Sequence, residues 1–369
     1  MGLVAHCLVG DIAPAIYFAA DIVPEKVTIP ILAHALLVAE SGALSVAATD
    51  LDRRAISRAD AKVVKPGAVT VNAATFSNWL HGHDRHAEVA LSADHNKLLA
   101  RIGQSSLQLP TLPATDFPAP FDMNAITNFQ LTEAEHRRLF RETAPVIPAT
   151  EGRFQLCGLY LRCVDRKLIA VASERKRIIE ASIDAPADLE EFSVIIPRDL
   201  VLAVAKMKGD IVLHVGEKHV EIENGNCTIT SRLIDGVYLD YRRAIPPLSD
   251  NTIEVDRSTL IGSLELLRAA IGQPAQTKKA DLPFASLTWT DGAHEVLLAA
   301  GDPEIGETVI PAIARGNAHV SVPIGQFVGL LNGIDAKRVA LNSATSTFAI
   351  RIAKVGADGF LALQSKMRP

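Results

Sequence analysis

The densest set of groups able to do chemistry is the stretch HGHDRH, which brings His81, His83, Asp84 and His86 close together. Imidazoles and a carboxylate at that spacing suggest a divalent metal that activates water. Hydrolases built on an HxHxDH pattern need the aspartate immediately before the last histidine, and Arg85 holds that place here. The segment also corresponds to KMKGD and LNGIDAKR further along the chain, both helix-to-strand turns, so it reads as a solvated turn with no metal. His95 and Asn96 add no ligand spacing. The chain has no phosphate-cradling glycine loop, no GxSxG nucleophile elbow and no HExxH pair. The four cysteines, Cys7, Cys157, Cys163 and Cys227, lack CxxC spacing and read as reduced thiols of a cytoplasmic protein. Nothing in these motifs calls for an enzyme or a cofactor.

Charge gives a second kind of candidate. Lys plus Arg number 37 against 42 Asp plus Glu, a net charge of −5, so any surface for nucleic acid must be local. Local clusters exist. His136, Arg137, Arg138 and Arg141 share one amphipathic segment, Arg198, Lys206 and Lys208 another, and Arg257 and Arg268 a third.

The elements that must position these groups are clearest in Val194 to Pro246. A short apolar strand precedes a helix expected to start at Asp199 as N-cap, with Leu200, Val204 and Met207 on its buried face. Alternation of Ile211, Leu213 and Val215, then Val220 and Ile222, predicts half-buried strands, with a hairpin turn at Asn224-Gly225. The unit recurs. Phe76 and Leu80 stand where Leu200 and Val204 stand, 124 residues earlier, and Phe327 and Leu331 stand there about 127 residues later.

Each copy has a front half too. FQLTEAEHRRLFRETAP predicts a strand and then a helix opened by the capping box Thr132 and Glu135. IEVDRSTLIGSLELLRAAI predicts the same, with Leu260, Ile261, Leu264, Leu267 and Ile271 buried. In the first copy, VGDIAPAIYFAADI supplies a helix starting near Asp11. The N-terminus has no basic n-region, and Asp11, Pro14 and Asp21 interrupt its apolar run, so neither a signal peptide nor a membrane span is expected. The fold class is α+β: three tandem domains, each with two helices on antiparallel sheets, spanning 1–124, 125–248 and 249–369.

Several long stretches carry a family resemblance: TIPILAHALLVAESGALSVAATDLD, LPTLPATDFP, SVIIPRDL, LIDGVYLDYRRAIP and the terminal KMRP. They resemble the bacterial DNA polymerase III beta subunit, the sliding clamp, in order over essentially the whole chain. The resemblance implies a non-catalytic ring, a head-to-tail homodimer of three-domain chains closed around double-stranded DNA. It also implies partners: the DNA polymerase III alpha subunit, the clamp loader and other clamp-motif proteins.

Three sites follow from the resemblance. A ring that slides must meet phosphates weakly through scattered cations, and the candidates are Lys26, Arg137, Arg138, Arg141, Arg153, Arg198 and Lys206. The first copy departs here, since its front helix has no Lys or Arg and Ala74-Thr75 replace a basic pair. A groove for an apolar linear motif would comprise Leu156, Ser173, Arg175, Lys176, Arg177, Ile178, Leu239, Arg243, Ala244, Thr345, Thr347, Met367, Arg368 and Pro369. Arg175 in SERKRI replaces a glycine of the family pattern, so extra positive charge and a preference for acidic motifs are expected. Ring closure would use Leu107, Leu109 and Ile271, with Gly272 at a position usually apolar. That glycine supports an alternative, a clamp-derived paralogue that binds partner motifs or another clamp without encircling DNA.

Overall fold

The computed structural model describes residues 2–24, 26–94, 96–271, 283–301, 305–344 and 347–367. Gly272, Thr345, Arg368 and Pro369 lie outside the described residues. The helices are α1 (Val9–Ile22), α2 (Ala73–Leu80), α3 (Glu133–His136), which runs on into a wide π turn over Arg137–Arg141, α4 (Arg198–Val204), α5 (Arg257–Ile271) and α6 (Ile324–Gly333). They pack in pairs: α1 on α2, the π turn on α4, and α5 on α6. Phe76, Leu80, Leu200, Val204, Phe327 and Leu331, equated by the sequence repeat, are each at most 1% exposed. Apolar residues at this spacing on three back helices are what the fold buries. None of the helices among the described residues is long and apolar enough to cross a membrane.

Local details differ from expectation for identifiable reasons. Helix α4 starts at Arg198 because Pro197 precedes it in an extended conformation. Asp199 therefore sits inside the first turn, facing the helix dipole instead of capping it. The helix ends at Val204, which leaves Met207 only half-buried. The segment after Thr132 is not one regular helix. The Thr143 hydroxyl donates to the Leu139 carbonyl at 2.6 Å, and Pro145, with no N–H to give, stops the ladder in the following turn.

The hairpin turn falls one residue later than predicted. Asn224 pairs with Cys227, so Gly225 (φ +58°) and Asn226 make the turn. The Asn224 amide instead donates to the carbonyls of Lys208 (2.9 Å) and Asp210 (3.0 Å). In α5, Leu260, Leu264 and Leu267 are buried while Ile261 and Ile271 are half-buried. The Ser258 hydroxyl and the Thr259 N–H and hydroxyl all donate to Asp256, ahead of this helix, and hold its carboxyl down to about 2.

The chain forms two compact units, Met1–Thr132 with Lys208–Leu233, and Glu133–Met207 with Ile234–Pro369. The first holds a five-stranded sheet, in spatial order Lys62–Lys65, Val4–Leu8, Glu88–Asp94, Lys97–Ile102 and Ser105–Pro110. It also holds an eight-stranded sheet in which Cys227–Arg232 pairs with Arg53–Asp60. The second unit holds a twelve-stranded sheet in which Arg177–Asp184 pairs with Phe360–Ser365. The strands of the middle repeat thus extend sheets begun by its sequence neighbours. Covalent repeat and compact unit differ because successive copies join strand edge to strand edge.

Candidate functional site

A cavity of about 470 Å³ opens in the second unit where three chain segments meet. The first is the turn Glu174–Arg177, closed by the Glu174 N–H on the Arg177 carbonyl at 3.0 Å, which leads into strand Arg177–Asp184. The second is the single turn Tyr241–Ala244 with the Ile245-Pro246-Pro247 that follows. The third comprises Thr347, Phe348 and Ala349 with Leu363 and Ser365 of the last strand. Backbone bonds fix these segments to one another: Ser365 N–H to Lys176 O at 2.8 Å, and Lys366 N–H to Phe348 O at 2.7 Å. The Arg351 guanidinium pins the proline turn by donating to the Pro246 carbonyl at 2.7 Å.

The structure brings Arg175, Lys176, Arg177, Ile178, Arg243, Ala244 and Thr347 to this cavity. Leu156 and Leu239 lie beneath it, in an apolar cluster with Ile169, Val171, Ile195, Ile234, Tyr238 and Tyr241 on which Ile178 and Ile245 also pack. Burial and the Glu180 carboxylate, to which the Tyr241 hydroxyl donates, push that phenol up to about 12. Ser173 is buried in the strand below the turn, and the Met367 N–H donates to Ser321 O at 2.8 Å, so neither lines the cavity. Sequence reasoning missed Glu174, Ile245, Pro246, Pro247, Phe348, Ala349, Leu363 and Ser365. Phe348, with 74% of its surface exposed, is the apolar side chain most available to a ligand there, and a lone aromatic in a polar stretch of sequence was its only signal.

The electrostatics depart from the expectation of surplus positive charge. Arg177 meets the Glu174 carboxylate at 2.5 Å and points its Nη1 at the Gln326 carbonyl, 3.3 Å away. Arg175 reaches Glu151 at 3.2 Å, holding that carboxyl below its ordinary range, and Arg243 meets Asp240 at 2.7 Å. Only Lys176 of the four lining cations has no carboxylate partner among the described residues. The rim is close to charge-balanced.

The candidate DNA contacts divide by exposure. Lys26, Arg141, Arg153 and Lys206 are exposed, and Arg137 is half-exposed, 3.7 Å from Glu133 one turn back. Arg138 is turned inward. Its Nε and Nη2 are covered and make no hydrogen bond, and a Cβ on Gly359 would come within 2.8 Å of Nη2. Arg198 donates through Nε to the Ile147 carbonyl at 3.1 Å, which ties α4 to the turn before it. Arg257 is likewise a capping group, on the carbonyls of Leu331 (3.1 Å) and Ala336 (2.8 Å) at the end of α6.

Of the ring-closure candidates, Leu107 is half-buried on Ser105–Pro110, the edge strand of its sheet. Leu109, 2% exposed and opposite Leu98, belongs to the core of its own unit. Alternation put both on the inner face, and position along the strand decides which stays accessible. Ile271 is half-buried at the end of α5. Phe284 packs its ring where Gly301 lacks a Cβ, 2.6 Å from that position.

The histidine-rich turn performs a structural task. Nδ1 of His81 donates to Ser77 O and Nδ1 of His83 to Trp79 O, each at 2.9 Å, satisfying carbonyls at the end of α2. Their rings lie 4.0 Å from Tyr17 and 4.5 Å from Trp79.

Residues 9–121 match the family described as DNA polymerase III beta subunit, N-terminal domain, and residues 130–240 match its central domain. The beta sliding clamp of Pseudomonas aeruginosa is 30% identical over 329 residues, 87% of each chain. That of Escherichia coli K12 is 28% identical over 331 residues, 88% of each. Among solved structures, a P. aeruginosa sliding clamp bound to griselimycin superimposes with a TM-score of 0.89 at 25% identity, covering 100% of both chains. A Caulobacter crescentus clamp does so with 0.88 at 24% identity, covering 100% of this chain and 99% of that one. The threefold helix-pair pattern, the antiparallel sheets and these full-length similarities place the chain in the DNA polymerase III beta subunit family, the beta sliding clamps.

Proposed function

We propose that this chain is a DNA sliding clamp that tethers a replicative polymerase and other clamp-binding proteins to duplex DNA, doing no chemistry of its own. It acts as a head-to-tail homodimer of three-domain chains divided near 124 and 248, with Lys26, Arg137, Arg141, Arg153 and Lys206 meeting phosphates loosely. The groove receives a short apolar motif from the DNA polymerase III alpha subunit, the clamp loader or other partners. The observation that supports this reading best is the cavity of about 470 Å³, to which Arg175, Lys176, Arg177, Ile178, Arg243, Ala244 and Thr347 all contribute. A rim of polar groups over an apolar floor suits an extended peptide, whose side chains supply affinity and whose backbone is oriented at the edge.

Fluorescence anisotropy with a labelled peptide carrying an apolar clamp motif tests the groove directly. Saturable binding of one peptide per chain, weakened by Ile178→Asp, is expected. A peptide that fails to bind, or binds Ile178→Asp equally well, would remove the support. Retention on circular but not linear DNA after loading tests the ring independently.

A further inference from the structure

His214, on the strand Ile211–Gly216, stands directly opposite Glu221 on His219–Asn224, and Glu223 lies two residues further along that neighbouring strand. The period of two puts all three on one face of the eight-stranded sheet. One donor atom from each residue falls within 4.8 Å of the other two. None of the three residues lines the peptide groove or is a candidate DNA contact.

Two features distinguish it from an ordinary cross-strand ion pair. Nε2 of His214 is fully covered yet makes no hydrogen bond, and its nearest carboxylate oxygen, Oε1 of Glu223, is 3.4 Å away. A charge-assisted hydrogen bond closes to about 2.7–2.9 Å. Ligand atoms about 2.0–2.2 Å from a shared tetrahedral ion instead stand about 3.4 Å apart. The second feature is orientation. The Thr230 hydroxyl, on the next strand, donates to Oε2 of Glu221 at 2.7 Å, fixing that carboxylate as outer partners fix metal ligands.

We propose that His214, Glu221 and Glu223 bind one Zn(II) ion, with water completing the coordination. The imidazole donor favours zinc over the all-oxygen cations calcium and magnesium, and imidazole nitrogen and carboxylate oxygen are both zinc ligands. Bound there, the ion would fasten two adjacent strands across their side chains and keep one coordination position open to solvent.

The test is zinc titration by calorimetry, with elemental analysis, on untagged full-length protein. The expected result is one zinc per chain, retained when His81, His83 and His86 are all changed to Gln. His214→Gln should abolish binding, and Thr230→Val should weaken it about 10–100-fold, as loss of an orienting partner does. Circular dichroism of each variant checks that the fold persists, and cobalt substitution should give the visible absorption of a four-coordinate N/O site in wild type and in the His81, His83 and His86 variant, but not in His214→Gln. No zinc uptake, uptake unchanged in His214→Gln, or uptake lost with the His81, His83 and His86 imidazoles would each overturn the assignment.

Discussion

Lys354 and Glu142 form a deeply buried ion pair in the second unit, and removing one member gives the sharpest stability prediction. Nζ of Lys354 lies 2.5 Å from Oε1 of Glu142, and the side chains are 8% and 5% exposed. Oε1 also accepts the Asp335 N–H at 3.2 Å, while Oε2 is covered without a partner. Glu142 directly follows the π turn that carries Arg137 and Arg141, so the pair anchors the candidate DNA-facing segment to strand Ala349–Lys354. Lys354→Met keeps the aliphatic length but leaves a carboxylate buried without its counter-charge, a change that costs about 3–5 kcal/mol. In a unit of this size that lowers Tm by about 6–20 °C, at about 2–4 °C per kcal/mol.

The pH dependence has a definite sign. Burial already raises the Glu142 pKa in the wild type, and Lys354 is the main influence holding it down. A raised carboxyl pKa contributes stability below the ordinary carboxyl value and loses it as pH rises through the folded value. Without Lys354 the folded value climbs further, so the variant's deficit should be largest near neutral pH and shrink toward pH 4. Glu142→Leu combined with Lys354→Met should recover most of the loss, because an apolar pair of similar volume avoids desolvating either charge. Urea unfolding at several pH values measures all of this. A deficit under about 1 kcal/mol at neutral pH, or one indifferent to pH, would refute a buried, uncompensated Glu142.

In the groove, Phe348→Ala should weaken an apolar clamp peptide about 10–100-fold in anisotropy, the value of covering a large apolar side chain; unchanged affinity would place the peptide elsewhere. Acidic and neutral peptides should bind wild type within a few-fold, whereas Glu151→Gln and Glu174→Gln together should release two guanidinium groups and produce a clear acidic preference. For DNA, Arg141→Ala and Lys206→Ala should each lower the salt slope of binding by about one, while Arg138→Ala leaves it unchanged. Sedimentation at low micromolar concentration should show a dimer of the 39.5 kDa chain, and a stable monomer would count against ring closure.

Periodicity made the helix faces legible. Phe76, Leu200 and Phe327 could be equated because each begins an apolar stripe at helical spacing, and burial follows that stripe directly. The strand alternation from Ile211 to Ile222 was legible for the same reason. What sequence could not supply was pairing. That Cys227–Arg232 runs beside Arg53–Asp60 depends on which strand edges meet, and neither edge is marked in its own residues. Asn224-Gly225 misled by one residue because the Asn224 amide serves Lys208 and Asp210 instead of the turn. His214, Glu221 and Glu223 escaped notice for a related reason, since only the hairpin register brings them together.

The groove shows why a run of basic residues is a poor guide to a site's field. SERKRI carries three cations in a row, yet the turn that exposes Arg175 and Lys176 also folds Glu174 back onto Arg177, and Glu151, distant in sequence, reaches Arg175. The Arg175–Glu151 pair, with Arg175 exposed, contributes little to stability, but both pairs set what an incoming peptide meets. A partner carboxylate must compete with Glu151 or Glu174 for a guanidinium already engaged, so its Coulomb gain is largely offset before binding begins. Phe348 and Pro247 present exposed apolar surface at the cavity, and covering it is favourable for any partner of suitable shape. Affinity should therefore track the apolar side chains of the partner motif, and charge should enter mainly through Lys176.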